Sequence, residues 1–176
     1  IDGIDGLAGG YGIIAMIAFL FLCLSSNNLI GLILCITIIG SLAGFLKFNL
    51  SKGKRKIFMG DTGSLVVGFL ISVISLTVLS SKNDYGQISN NIPVLVLSIL
   101  SFPYIDTLRV MFIRKINGRK FFEPDKNHIH HRLISNGKNH ISSSIIILTV
   151  YLSSIIFCIL FHKINITVHF IISLLY

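Results

Sequence analysis

Five stretches of this chain run for fifteen to twenty-two residues with almost no charge: Leu7–Leu24, Leu29–Leu46, Leu65–Leu79, Ile92–Ile113 and Ile145–Phe161. A sixth, Ile164–Tyr176, extends for thirteen. A helix needs roughly 20 mostly apolar residues to cross the hydrocarbon of a bilayer, and a backbone in lipid must satisfy its polar groups internally, which a helix does. The composition agrees: 53% of the 176 residues are hydrophobic and 12% charged, about half the charge of an ordinary soluble domain. The mean hydropathy is +0.83. Disorder, a collagen-like repeat and a disulfide scaffold are excluded. The chain reads as an all-α, polytopic integral membrane protein with five to six spans, forming a single membrane domain over residues 1–176. Cys23, Cys35 and Cys158 fall inside the apolar runs and read as small core or lipid-facing residues.

Alternating the spans across a bilayer divides the loops into two sets. Residues 1–6, 47–64 and 114–144 share one side, and they carry Lys47, Lys52, Lys54, Arg55, Lys56, Arg114, Lys115, Arg119, Lys120, Lys126, Arg132 and Lys138, twelve of the fifteen basic residues. By the positive-inside rule that side is cytoplasmic. Membrane sidedness therefore accounts for the net charge of +8, and no nucleic acid is needed. Asp2, Asp5, Asp61, Glu123 and Asp125 lie on the same side, with Asp106 near it. Chemistry on water-soluble cytoplasmic material is expected at that face of a multi-pass membrane protein.

Four polar motifs interrupt the apolar pattern. The opening Ile1-Asp2-Gly3-Ile4-Asp5-Gly6-Leu7-Ala8-Gly9-Gly10 is a Gly/Asp turn leading into a helix; its carboxylates suit a hard cation, a ligand or merely the positive end of a helix. Phe58-Met59-Gly60-Asp61-Thr62-Gly63-Ser64-Leu65 repeats the design, and Asp61, Thr62 or Ser64 is equally suited to capping. Asp106 and Arg109 stand at i,i+3 inside a span, where charges are usually paired; the structural reading, a pair that orients the span, is favoured. The densest motif is Gly118-Arg119-Lys120-Phe121-Phe122-Glu123-Pro124-Asp125-Lys126-Asn127-His128-Ile129-His130-His131-Arg132-Leu133. Three histidines alone suggest zinc, but histidines among Arg119, Lys120, Lys126 and Arg132 suit phosphate better. His140, His162 and His169 read as loop or interface residues. Gly40 and Gly44 are candidates for close helix packing. Asn49-Leu50-Ser51 matches a glycosylation pattern only formally, being on the cytoplasmic side.

The strings IDGIDGLAGG, FMGDTGSLVVGF, PYIDTLRV and GRKFFEPDKNHIHHRL, in that order and separated by spans, resemble the polyprenyl-phosphate N-acetylhexosamine-1-phosphate transferases. The resemblance covers residues 1–133 and implies transfer of a sugar 1-phosphate from a UDP-sugar to undecaprenyl phosphate, with release of UMP and a requirement for Mg²⁺, or Mn²⁺ in its place. It implies Asp61 as metal ligand and catalytic residue, and Phe58 as the aromatic that stacks on uracil. Asp2 and Asp5 are placed in the nucleotide pocket, and His128, His130 and His131 against the donor's phosphates, with Arg119, Lys126 and Arg132 beside them. The histidine motif is more similar to the N-acetylglucosamine 1-phosphate branch than to the phospho-MurNAc-pentapeptide branch, which stays the alternative. A homodimer is left open.

The chain also departs from the family pattern. It shows five spans and a fraction where the family has about ten or eleven, so it resembles the C-terminal half of a larger transferase. The family's Asp-Asp pair and the Asn ahead of Ile1 are not among these residues, and the 176 residues alone are expected to be inactive. Two rivals are a transporter whose Asp106–Arg109 pair lines a pathway, and a non-catalytic remnant or partner subunit.

Overall fold

The computed structural model describes residues 3–80, 91–118 and 128–161. Over these residues the chain is helical: α1 (Leu7–Ser25), α2 (Leu29–Asn49), a 3₁₀ turn (Gly53–Arg55), α3 (Gly60–Ser80), α4 (Ile92–Ile116), α5 (Ile129–Ser135) and α6 (His140–Leu160). All but α5 and the 3₁₀ turn are long and apolar enough to span a membrane, so the protein is an integral membrane protein. The sixth expected run, Ile164–Tyr176, lies outside the described residues.

Local chemistry sets the boundaries. The Asn28 side chain accepts the Gly31 N–H at 3.0 Å and the Asn139 side chain accepts the Ser142 N–H at 2.7 Å, closing the first turns of α2 and α6. Lys47 sits in the last turn of α2, and Arg114 and Lys115 in that of α4, where the helix dipole favours cations. Two helices begin earlier than hydropathy indicates. α3 starts at Gly60, ahead of the apolar run at Leu65 and of the earlier start near Gly63 that the sequence also allows, with Asp61 in its first turn. α6 starts at His140 rather than Ile145, so His140 opens a helix instead of lying in a loop. In both, a polar first turn hides a helix that capping and packing stabilise.

α1 is the central helix, with 56% of its spanning window buried against 17% for α2. Its glycines let neighbours approach: a Cβ on Gly9 would meet the Leu46 side chain at 2.8 Å, and one on Gly12 the Leu42 side chain at 2.7 Å. The expectation for Gly40 and Gly44 is not met among the described residues, where nothing lies within 4 Å of a Cβ at either. Cys23, Cys35 and Cys158 are buried in the core rather than lipid-facing. Phe21, Ile30, Phe69 and Phe112 face outward, as a lipid-facing surface allows.

α4 continues through Pro103. Proline has no N–H to offer the carbonyl four residues earlier, which here belongs to Ile99. The hydroxyls of Tyr151 and Tyr11 both donate to that oxygen, at 2.6 and 3.3 Å, while the Phe102 ring packs against both tyrosines. The span therefore keeps its course across a proline without leaving a carbonyl bare in an apolar interior.

Candidate active site

The site grows from the turn ahead of α1. Gly6 has φ +80°, a left-handed conformation in which a side chain would be strained. That conformation presents its N–H to the Asn49 Oδ1 at 2.7 Å. The same amide uses its Nδ2 to donate to the Ile57 carbonyl at 2.9 Å. Asn49 is buried, so both halves of its amide are used where leaving either unpaired would be costly. On the other side Ser144, from α6, donates its hydroxyl to the Asp5 carbonyl at 2.6 Å. The turn is thus tied to the end of α2, to the loop after it, and to α6.

Asp5 reaches the same loop through its carboxylate, which lies 2.7 Å from Lys56 Nζ. Lys56 Nζ in turn stands 5.1 Å from the centroid of the Phe58 ring, a cation–π distance. Phe58 is 72% exposed, with a face available for stacking. Asp61, three residues on, is exposed in the first turn of α3. Lys52, Lys54 and Arg55 are exposed beside them.

The histidines lie on the far side of the turn. His128 precedes α5, and His130, His131 and Arg132 lie within this short helix, where the sequence suggests a loop. The rings of His128 and His130 stack at 5.7 Å, and those of His130 and His131 at 4.3 Å. His130 is buried against Gly3: a Cβ at that position would stand 2.8 Å from His130 Cε1. Burial, with the neighbouring His131 and His128, lowers the His130 pKa to about 4, so it is neutral near pH 7. His131 is partly buried and Arg132 exposed.

Asp106 joins this helix to α4. Its Oδ2 lies 2.8 Å from His128 Nδ1, and its Oδ1 accepts the Ile129 N–H at 3.1 Å and an Arg109 N–H at 3.0 Å. The Asp106–Arg109 pair exists, but it does more than orient a span.

A continuous relay therefore runs from His130 on Gly3, through Asp5 and Lys56, to Phe58, and places three motifs at one end of the bundle. Asp2, Arg119 and Lys126 lie outside the described residues. Sequence reasoning missed Asn49, Lys56 and Ser144 as ties, and the hold of Asp106 on His128. For Asn49 the available signal was an amide inside a basic loop, masked by its formal glycosylation pattern.

Residues 1–79 match the family model described as glycosyl transferase family 4. Among curated proteins, the chain is 39% identical over 159 residues to one of Bacillus subtilis named "Probable undecaprenyl-phosphate N-acetylglucosaminyl 1-phosphate transferase", a match covering 90% of this chain and 42% of the relative. It is 34% identical over 157 residues to the decaprenyl-phosphate N-acetylglucosaminephosphotransferase of Mycobacterium tuberculosis, covering 80% and 38%. It is also 34% identical over 139 residues to the undecaprenyl-phosphate alpha-N-acetylglucosaminyl 1-phosphate transferase of Escherichia coli K12, covering 78% and 36%. The matched region spans about two-fifths of the length of these relatives. No solved structure gives a significant match.

Proposed function

We propose that this chain, whose residues 1–79 match glycosyl transferase family 4, carries the donor-binding part of an enzyme of that family moving N-acetylglucosamine 1-phosphate from a UDP-sugar to undecaprenyl phosphate. In this reaction an oxygen of the lipid phosphate forms a bond to the β-phosphorus of the donor. The bond from that phosphorus to the oxygen bridging to the α-phosphorus breaks, and UMP leaves. The relatives' names supply the sugar and the lipid. The observation that carries the reading is the relay from His130 through Gly3, Asp5 and Lys56 to Phe58. It sets an exposed aromatic and a histidine helix at the same membrane face, where a nucleotide and its diphosphate can be held together.

Phosphoryl transfer is mainly positioning and charge neutralisation. Phe58 stacks on uracil, with Lys56 held beside it by Asp5. His128, His131 and Arg132 donate to the diphosphate, with Arg119 and Lys126 of the preceding sequence. His130, neutral and packed on Gly3, shapes the helix from beneath. Asp2 completes the nucleotide pocket.

Among the described residues no three His, Cys, Asp or Glu side chains gather into a metal cage. An exposed single carboxylate, Asp61, fits Mg²⁺ (or Mn²⁺), which often takes one or two carboxylates and completes its shell with phosphate and water. When bound, such an ion neutralises charge on the diphosphate. The excess of basic residues in these loops supports a cytoplasmic face, and with it a place in the inner membrane.

The test is UMP release by the full-length protein with undecaprenyl phosphate, Mg²⁺ and radiolabelled UDP-sugars. UDP-N-acetylglucosamine is expected to give UMP and a lipid-linked sugar diphosphate. Turnover with UDP-MurNAc-pentapeptide alone overturns the substrate, and no turnover with any UDP-sugar overturns the reaction.

A further inference from the structure

His128 holds a place in the proposed site, yet it caps α5 without a side-chain cap bond, and its own helix gives the ring only the stacked face of His130. Its partner comes from 22 residues earlier. Asp106 is 8% exposed, and three groups converge on its carboxylate: His128 Nδ1 at 2.8 Å on one oxygen, the Ile129 N–H at 3.1 Å and Arg109 Nη2 at 3.0 Å on the other. A carboxylate this enclosed needs a cation beside it, and Arg109 provides one.

We infer that Asp106 is a positioning residue that fixes the tautomer and ring orientation of His128 and docks the start of α5 onto α4. An ionised carboxylate only accepts hydrogen bonds, so the proton of the pair belongs on His128 Nδ1. That leaves Nε2 as the ring atom that meets a substrate oxygen. Carboxylates fix histidines in this way where one defined nitrogen must face the chemistry. The Ile129 N–H, bonded to the same carboxylate, sets the height of the helix against α4, so ring direction and helix position depend on one side chain. Arg109 shares the same carboxylate and the His130 ring stacks on that of His128; the guanidinium has no acceptor, and a stacked ring presents its face rather than a ring nitrogen.

The inference rests on the proposed role of the histidine helix toward the donor's diphosphate. An interaction that strengthens as charge moves onto the leaving phosphate acts on kcat more than on KM. In the full-length protein, with UMP release as readout, Asp106→Asn is expected to lower kcat at least tenfold while KM for the UDP-sugar stays within threefold. Asp106→Glu, which keeps the charge but displaces it, is expected to fall between Asp106→Asn and the parent. His128→Ala serves as the reference and is expected to lose at least a hundredfold in kcat. Parental rates in His128→Ala remove the role of the histidine helix itself. Parental rates in both Asp106 variants beside an inactive His128→Ala remove Asp106 alone, as do kcat and KM falling together. Should the Asp106 variants fail to fold, ¹⁵N-histidine spectra of the parent protein decide, with His128→Gln assigning the resonance. A proton on Nδ1 supports the inference, and a ring protonated on Nε2 alone overturns it.

Discussion

The Tyr151 hydroxyl donates to the Ile99 carbonyl at 2.6 Å, joining α6 to α4 at the acceptor left without an N–H by Pro103. Tyr11 from α1 shares that oxygen at 3.3 Å, so three spans meet at one carbonyl. A hydrogen bond between membrane helices contributes about 0.6 kcal/mol on average, while an unsatisfied buried acceptor costs about 1–3 kcal/mol. Tyr151→Phe alone is expected to cost at the lower end, because Tyr11 still reaches the carbonyl. Adding Tyr11→Phe is expected to cost more than the two single losses summed. Thermal unfolding of the four proteins in detergent measures this, and strictly additive losses would show that the hydroxyls do not share a partner.

Asn49 joins the Gly6 N–H to the Ile57 carbonyl, at 2.7 and 2.9 Å. Asn49→Leu buries no amide and leaves both backbone groups unpaired, a loss of about 1–3 kcal/mol for each that water cannot reach. Asn49→Asp keeps the acceptor for Gly6 and loses the donor for Ile57, so its cost is expected to be smaller. Because Ile57 precedes Phe58, both changes are expected to raise hydrogen exchange over residues 50–59 before the spans respond. Unchanged exchange there would show that the loop is held by other means.

The spans are legible in the sequence because run length and apolar content are local properties. The start of α6 is not, since the serines after His140 look like loop residues until a helix forms around them. Ser144 shows why: it is buried, and its hydroxyl meets a carbonyl 139 residues away, a distance no periodicity encodes. The same limit hides Asn49 and Asp106. The pairing of Asp106 with Arg109 follows from their i,i+3 spacing, whereas its contact with His128 depends on how the chain returns to α4 after residue 118. Pro103 marks where a carbonyl is freed, but the two tyrosines that answer it come from helices far away in sequence.

His130 carries a pH dependence with a definite sign. Burial against Gly3 lowers its folded-state pKa to about 4, below the ordinary value of 6.5. As pH falls through 6.5 the unfolded chain takes up the proton and the folded one does not, so stability is complete above that value and declines toward pH 4. Exchange protection of residues 128–135 is expected to weaken over this range, and His130→Gln is expected to flatten the decline. Gly3→Ala is expected to displace the ring, because the new methyl carbon would stand 2.8 Å from Cε1, and to bring the pKa nearer 6.5. The same slope in the parent and in His130→Gln would assign the effect to another group.

Phe58 and Lys56 make opposite demands on a nucleotide, and their variants separate the two. Phe58 is 72% exposed, so its ring stabilises little of the fold, and Phe58→Ala is expected to leave the unfolding temperature nearly unchanged. Stacking on a base contributes about 1–3 kcal/mol in nucleic-acid complexes, which corresponds to a KM for the UDP-sugar raised roughly five- to 150-fold, with a smaller effect on kcat. Phe58→Tyr keeps the ring and is expected to remain within threefold. Lys56→Met removes the cation 5.1 Å from that ring and the partner of Asp5. Its ion pair with Asp5 is partly buried, and loss of the charge is expected to weaken competition by anions such as UMP. A KM unchanged in Phe58→Ala would remove the ring from the uracil pocket, and the cation beside it would then have to act on the phosphates alone.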